Sequence, residues 1–139
     1  MIESLTGESY FDYIRKNIYE LAGMKNSESY EMDYPLENLA VGYDPDWKCP
    51  YGWKSNLFMH VIKGSPAGGG FSTVRDLHKF ARSLLEGKLV SKNLLDSIWK
   101  DYSGGNYGYG FQVSWGQNGK VVGHSGGFPG ISSKLDILS

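Results

Sequence analysis

The residues with the clearest chemical potential lie in VVGHSGGFPG, residues 121 to 130. Gly123-His124-Ser125-Gly126-Gly127 satisfies G-x-S-x-G, the pattern of a nucleophile elbow, in which a serine on a sharp strand-to-helix turn attacks an acyl carbon. The elbow needs a helix behind the serine. Here Gly-Gly-Phe-Pro-Gly follows, a run hostile to helix, and then a strand-like segment. The usual chain order is Ser, then Asp or Glu, then His. Asp136 follows Ser125, but no histidine lies beyond residue 124. The pattern also arises easily by chance in a chain rich in Gly and Ser. The alternative keeps His124-Ser125-Gly126 on a strand. Alternation then puts His124 and Gly126 on one face and Ser125 on the other. Gly126 and Gly127 carry no side chains, so a ligand carbonyl can approach the strand edge, where an N–H can donate to an oxyanion. A glycine-rich hairpin corner is the plainer reading of the same residues.

Other candidates are weaker. His60 or His78 could serve Ser125 only in a permuted order, and His78 lies off the apolar stripe of its helix, as a surface histidine does. Gly68-Gly69-Gly70 precedes a helix and could meet an anion there. A phosphate loop needs G-K-[ST] after its glycines, whereas Phe71-Ser72-Thr73 follows, so a tight loop entering a capped helix is the better reading. The three histidines are isolated, and neither H-E-x-x-H nor C-x-x-C occurs. The spacing therefore implies no metal and no cofactor. Cys49 is the single cysteine, which excludes an internal disulfide.

Composition narrows the classes of function. A 139-residue chain with 40% apolar and 21% charged residues suits one globular domain. The formal net charge is -1 and the 14 basic residues are scattered, which argues against a nucleic-acid partner. No run of eighteen apolar residues could span a membrane. Met1-Ile2-Glu3 leads into polar residues, with neither the basic nor the apolar region of a signal peptide.

The elements that must position residues 121 to 130 are legible in part. Residues 1 to 5 resemble the end of a helix. Ser9 with Asp12 caps the next, and Phe11, Ile14 and Ile18 follow at helical spacing up to Gly23. Residues 24 to 66 are punctuated by Pro35, Pro45, Pro50 and Pro66, and predict short strands and ordered loops. Ser72 or Thr73 opens a helix whose apolar stripe is Val74, Leu77, Phe80, Ala81, Leu84 and Leu85, ended by Gly87. Another runs from Ser91 to about Lys100, with Leu94, Leu95, Ile98 and Trp99 paired at helical spacing. Beyond Gly104 the period becomes that of strands: 111–115, a turn at 116–119, 120–125, another turn at 126–130, and 131–138. The fold class is α+β, helices packed on an antiparallel sheet. The whole chain, 1–139, is expected to be a single partial domain, cut at both ends.

Four segments together resemble the serine β-lactamase-like hydrolases: class C β-lactamases, DD-peptidases of the penicillin-binding-protein kind, and related esterases. Ser9 to Met24 resembles the family helix ending in a PLGM-type turn. Pro66-Ala67-Gly68-Gly69-Gly70-Phe71-Ser72-Thr73 with Asp76-Leu77 resembles PAGGLxST-x-x-DL. Tyr107-Gly108-Tyr109-Gly110-Phe111 and His124-Ser125-Gly126-Gly127 resemble the last strands, the latter being the third catalytic motif in its H-x-G form. Their order and spacing agree along essentially the whole chain.

The resemblance implies acyl-enzyme chemistry on an ester, amide or β-lactam, with a small-molecule or peptide acyl substrate. The family nucleophile is the serine of S-x-x-K, assisted by Y-x-N. Neither motif occurs here: Ser55-Asn56-Leu57-Phe58 lacks the lysine, and Tyr34-Pro35-Leu36 and Tyr51-Gly52-Trp53 lack the asparagine. The chain is thus expected to be the C-terminal part of such a domain and inactive alone. His124 would face substrate where other members have Lys, Ser125 takes a position often Thr or Ser, Gly126 keeps the edge open, and the Gly127 N–H would be an oxyanion donor. Lysine is charged at neutral pH and imidazole mostly is not, which tilts the reading toward peptidase or esterase over β-lactamase. Tyr51 and Trp53 would wall the cleft or simply pack. The resemblance is compatible with an extracytoplasmic or cell-envelope location. The competing reading is a binding or structural module with an aromatic-lined surface.

A partial domain leaves surfaces and strand edges open. We therefore expect self-association or strand exchange, seen in light scattering as a mass that rises with concentration; a sharp monomer at every concentration would contradict it.

Overall fold

The computed structural model describes residues 1–139. In chain order the elements are α1 (Ile2–Thr6), α2 (Tyr10–Ile14), β1 (Tyr43–Pro45), β2 (Trp53–Ser55), α3 (Val74–Leu85), α4 (Lys92–Ile98), β3 (Gln112–Gly116), β4 (Gly119–Phe128) and β5 (Ile131–Leu138). A π-helical turn over Arg15–Glu20 prolongs α2, and a 3-10 turn covers Leu57–Met59. This is the expected α+β class. The chain divides into two compact units, one of Met1–Glu28, Phe71–His124 and Leu135–Ser139, the other of Ser29–Gly70 and Ser125–Lys134.

In the first unit the helices start where short polar side chains can satisfy their orphan amides. Ser9 Oγ accepts from the Asp12 amide, and Ser91 Oγ accepts from the Leu94 amide. Of the two candidate caps for α3, Thr73 is used: its hydroxyl accepts from the Asp76 amide. Asp76 does not reach back to close a capping box. Its carboxylate is fully buried and accepts from the Asn26 amide (2.7 Å), the Ser27 hydroxyl (3.1 Å) and Lys79 Nζ (2.7 Å). Burial pushes this carboxyl up, but the hydrogen bonds from Lys79, Asn26 and Ser27 together outweigh it and hold it below the ordinary range. Asp76 thereby ties α3 to the segment after Gly23.

The core of this unit is Leu84, Leu95, Trp99, Val113, Val122 and Ile137, with Phe80, Ala81 and Phe111 packed against it. Leu95 and Trp99, four apart, present the buried face of α4, and Trp99 meets Phe111 edge to face at 6.1 Å. The stripe on α3 is narrower than its sequence pattern. Leu84 is buried, whereas Val74 and Leu85 at its ends stay exposed, because a helix touches a small sheet over only part of its length. Leu94 of α4 is exposed for the same reason.

The sheet of the chain's last third has strand order β3-β4-β5. β3 and β4 are antiparallel, from Gln112 opposite Gly123 to Gly116 opposite Gly119, closed by the two-residue turn Gln117-Asn118. Pro129-Gly130 joins β4 to β5, a connection short enough only for antiparallel neighbours. A Cβ on Gly123 would overlap the Leu135 carbonyl oxygen and lie 3.1 Å from Asp136 Cα, so only glycine lets β5 lie this close.

In the second unit β1 and β2 form an antiparallel pair, Tyr43 opposite Ser55 to Pro45 opposite Trp53. Asn56, almost fully buried, donates from Nδ2 to the Pro129 carbonyl (2.7 Å) and from its amide to the Gly42 carbonyl (3.0 Å). Gly130, at φ 70°, presses on Tyr43, whose backbone nitrogen would lie 2.7 Å from any Cβ added there. The turn between β4 and β5 is clamped by these contacts.

Gly123→Ala is expected to cost about 3 kcal/mol, read as a lower urea midpoint, since backbone rather than a yielding side chain blocks the methyl group. Asp76 stabilises the fold while ionised. Its folded pKa lies below the unfolded value, so its contribution is full above the unfolded pKa and disappears as pH falls through the folded one. Asp76→Asn should flatten the loss of thermal stability between about pH 5 and pH 2; an unchanged acid slope in calorimetry would count against this role.

Candidate functional site

β4 carries His124, Ser125, Gly126 and Gly127 consecutively. No helix follows Ser125: the strand continues to Phe128, turns, and returns as β5. The strand–turn–helix of a nucleophile elbow is absent, so the G-x-S-x-G match does not make Ser125 an elbow serine.

Backbone direction along β4 can be read from its contacts. Lys120 O accepts from the Ser139 amide (3.0 Å), and Gly126 O accepts weakly from Ser133 Oγ (3.5 Å). Gly123 lies against Leu135 and Asp136. These contacts share one register, so β4 has no bulge between them. Even-numbered residues of β4 therefore turn their N–H and C=O toward β5, and odd-numbered ones toward β3. The ladder with β3 ends at Gln112 opposite Gly123. Beyond it the Gly127 N–H points to the side that β3 has left. Gly127 is exposed, and a Cβ built on it would meet nothing within 4 Å. A donor at a strand edge beyond the end of the pairing strand is what an oxyanion requires.

On the faces of β4, alternation puts His124 on the side of Val122, the most deeply buried residue of the core. His124 is exposed, emerging from that face where the core ends. Its Nε2 lies 2.9 Å from the Tyr107 hydroxyl, with the rings edge to face at 5.8 Å. In the second unit Tyr51 is 89% and Trp53 56% exposed, so neither is consumed by packing within this chain.

Sequence reasoning named Tyr107 only within Tyr107 to Phe111, as resembling the family's last strands; it gave the residue no role and did not single out the loop that delivers it. The Asp101 carboxylate gathers the amides of Ser103 (3.0 Å), Gly104 (2.9 Å) and Asn106 (2.9 Å), and the Ser103 hydroxyl (3.2 Å). The Asn106 amide above all, with Ser103 and the Tyr107 amide, holds this carboxyl below its ordinary range against a counteracting burial effect. Asn106 takes φ 60° and Gly104 φ 69°, the left-handed conformations that such a turn needs. Tyr107 then bridges Gln112, and Asn106 O accepts from the Val113 amide at 2.8 Å. A Cβ on Gly108 would overlap the Ile98 carbonyl oxygen. The signal was present as Asp-x-Ser-Gly-Gly-Asn, a turn composition, but its target seventeen residues away on β4 was not. No group of three or more His, Cys, Asp or Glu could hold a metal ion, and no helix is long and apolar enough to cross a membrane.

Helices on an antiparallel sheet, in this order, are the fold of penicillin-binding-protein-like serine hydrolases. A penicillin-binding protein from Bacillus halodurans superposes with a TM-score of 0.87 over 99% of this chain and 44% of its own, at 23% identity. The family model described as Beta-lactamase matches residues 1–135, and the chain belongs to that family. Penicillin-binding protein 4* of Bacillus subtilis (strain 168) is 27% identical over 150 residues, covering 97% of this chain and 33% of that protein. A D-stereospecific amidohydrolase from Streptomyces sp. matches with a TM-score of 0.75 and 26% identity, over 99% of this chain and 42% of its own. The chain thus spans about a third of the length of the Bacillus subtilis relative.

The open edge makes a direct prediction. In amide exchange followed by NMR, Gly127 should exchange at least about a hundredfold faster than Gly126, whose N–H faces β5. Equal protection would mean that the edge is covered.

Proposed function

We propose that residues 1–139 are a single partial domain, the C-terminal portion of a serine hydrolase that transfers acyl groups to a serine and then to water. The observation that carries this reading is that Gly127, an exposed residue one place after His-Ser-Gly, lies on the stretch of β4 beyond the β3 ladder. In this reading Gly127 donates to the oxyanion, partnered by an amide at the nucleophile. His124 hydrogen-bonds the substrate carboxylate or the tetrahedral intermediate, Ser125 lends a hydroxyl on the other face, and Gly126 leaves room for the substrate backbone. The nucleophile and its base belong to an S-x-x-K and a Y-x-N outside these residues, so this chain alone does not turn over.

Peptide or other amide bonds are the favoured substrates. The likeness to a D-stereospecific amidohydrolase supports an amide, and the imidazole at 124 supports weaker charge pairing with a carboxylate than lysine would give. Tyr51 and Trp53 are exposed and so remain free to wall the cleft for the acyl group in this reading. Self-association is part of the same proposal, supported by the outer edges of β3 and β5.

A fluorophosphonate probe with intact-mass detection tests the placement of the nucleophile. The folded chain should take up no adduct, and a longer protein containing it should take up one, upstream of Met1. A stoichiometric adduct on Ser125 would overturn the proposal. In the longer protein His124→Ala should lower kcat/KM by about a hundredfold, the loss typical of a single transition-state hydrogen bond. His124→Lys should shift preference toward β-lactams.

A further inference from the structure

We propose that Tyr107 is the positioning residue of His124: its hydroxyl donates to Nε2 and so fixes both the angle of the ring and the atom that carries its proton. This deepens the proposed function, since it rests on His124 facing substrate. The geometry is specific. Tyr107 Oη and His124 Nε2 are 2.9 Å apart, and the ring planes meet at 83°, which leaves Nε2 pointing at the hydroxyl rather than at the phenyl face. A neutral imidazole nitrogen is a stronger acceptor than a phenol oxygen, so the phenol donates and the neutral ring holds its proton on Nδ1.

The anchor is rigid enough for this work. Tyr107 does not hang from a mobile loop. Asp101 gathers the amides before it, the bridge to Gln112 registers it on β3, and Gly108 lies against the Ile98 carbonyl with no room for a side chain. Backbone bonds from Gly108 to Phe111 O (2.8 Å) and from Tyr109 to Ile98 O (2.9 Å) close the other side. Gln112 in turn faces Gly123, the neighbour of His124. The backbone thus sets both partners from one ladder. A side chain on an exposed strand otherwise samples several rotamers and both tautomers. Fixing them in advance removes that cost from the step that binds substrate.

Long-range proton–nitrogen NMR of the imidazoles tests this on the chain as it stands, whether or not His124 ever meets a substrate. In the unsubstituted protein above the titration of the ring, His124 should show the Nδ1-protonated tautomer, with Nε2 as acceptor. In Tyr107→Phe, His124 should move toward the Nε2-protonated form favoured by free histidine, while His60 and His78 serve as unmoved internal references. Retained amide shifts at Gly108, Tyr109 and Val113 would show that the loop is intact. An Nε2-protonated His124 in the unsubstituted protein overturns the proposal even if the variant fails to fold, as do unchanged His124 nitrogens in a folded variant. A lost substrate role for His124 with the tautomer as expected would sink the functional reading and leave the pairing standing.

Discussion

The Leu135 carbonyl occupies the space that a β-carbon on Gly123 would need. That close approach holds β5 on one side of β4 while β3 pairs on the other. The register of β4 comes from its hairpin with β3, and the close approach at Gly123 lets β5 lie beside the same strand. A larger residue there would push β5 away from β4. The strand that bears the candidate chemistry thus owes one of its neighbours to a residue with no chemistry of its own.

Two supports act on β4 from its ends. Near Gly123 the hydrogen-bonded loop from Asp101 to Gln112 brings an aromatic hydroxyl to the histidine. In the second unit Asn56 holds the carbonyl of Pro129, and Gly130 fits against Tyr43, which fixes the turn after Phe128. Both supports rely on polar side chains that replace missing backbone partners in irregular segments. Such bonds add little net energy each; at buried Asn56 an unpaired amide would be costly, and in the exposed Asp101 loop several bonds to one carboxylate together favour one conformation.

The chain belongs to the Beta-lactamase family and spans about a third of the length of a penicillin-binding protein that it resembles. In the proposed site, position 124 is a histidine rather than a lysine. An imidazole is a directional donor and acceptor, where an ammonium is a diffuse charge. Its usefulness depends on orientation, which is why a neighbour able to orient it matters more than it would for lysine.

Local chemistry made much of this legible without coordinates. Ser9, Ser72 or Thr73, and Ser91 announce helix starts, Gly23 and Gly87 their ends, and Gly116 to Gly119 a hairpin, because caps and turns are satisfied within four residues. The bounds of β5, residues 131 to 138, were readable from the sequence for the same reason. His124 to Gly127 stood out by composition. What the sequence could not supply were relations that cross the chain: the end of the β3 ladder before Gly127, the overlap at Gly123, the meeting of Tyr107 and His124, the inward turn of Asp76, and the exposure of Val74 and Leu85. Those depend on which segments pack together and how far each extends. Side-chain spacing repeats every two or 3.6 residues, and it holds no information about the partner on the other side.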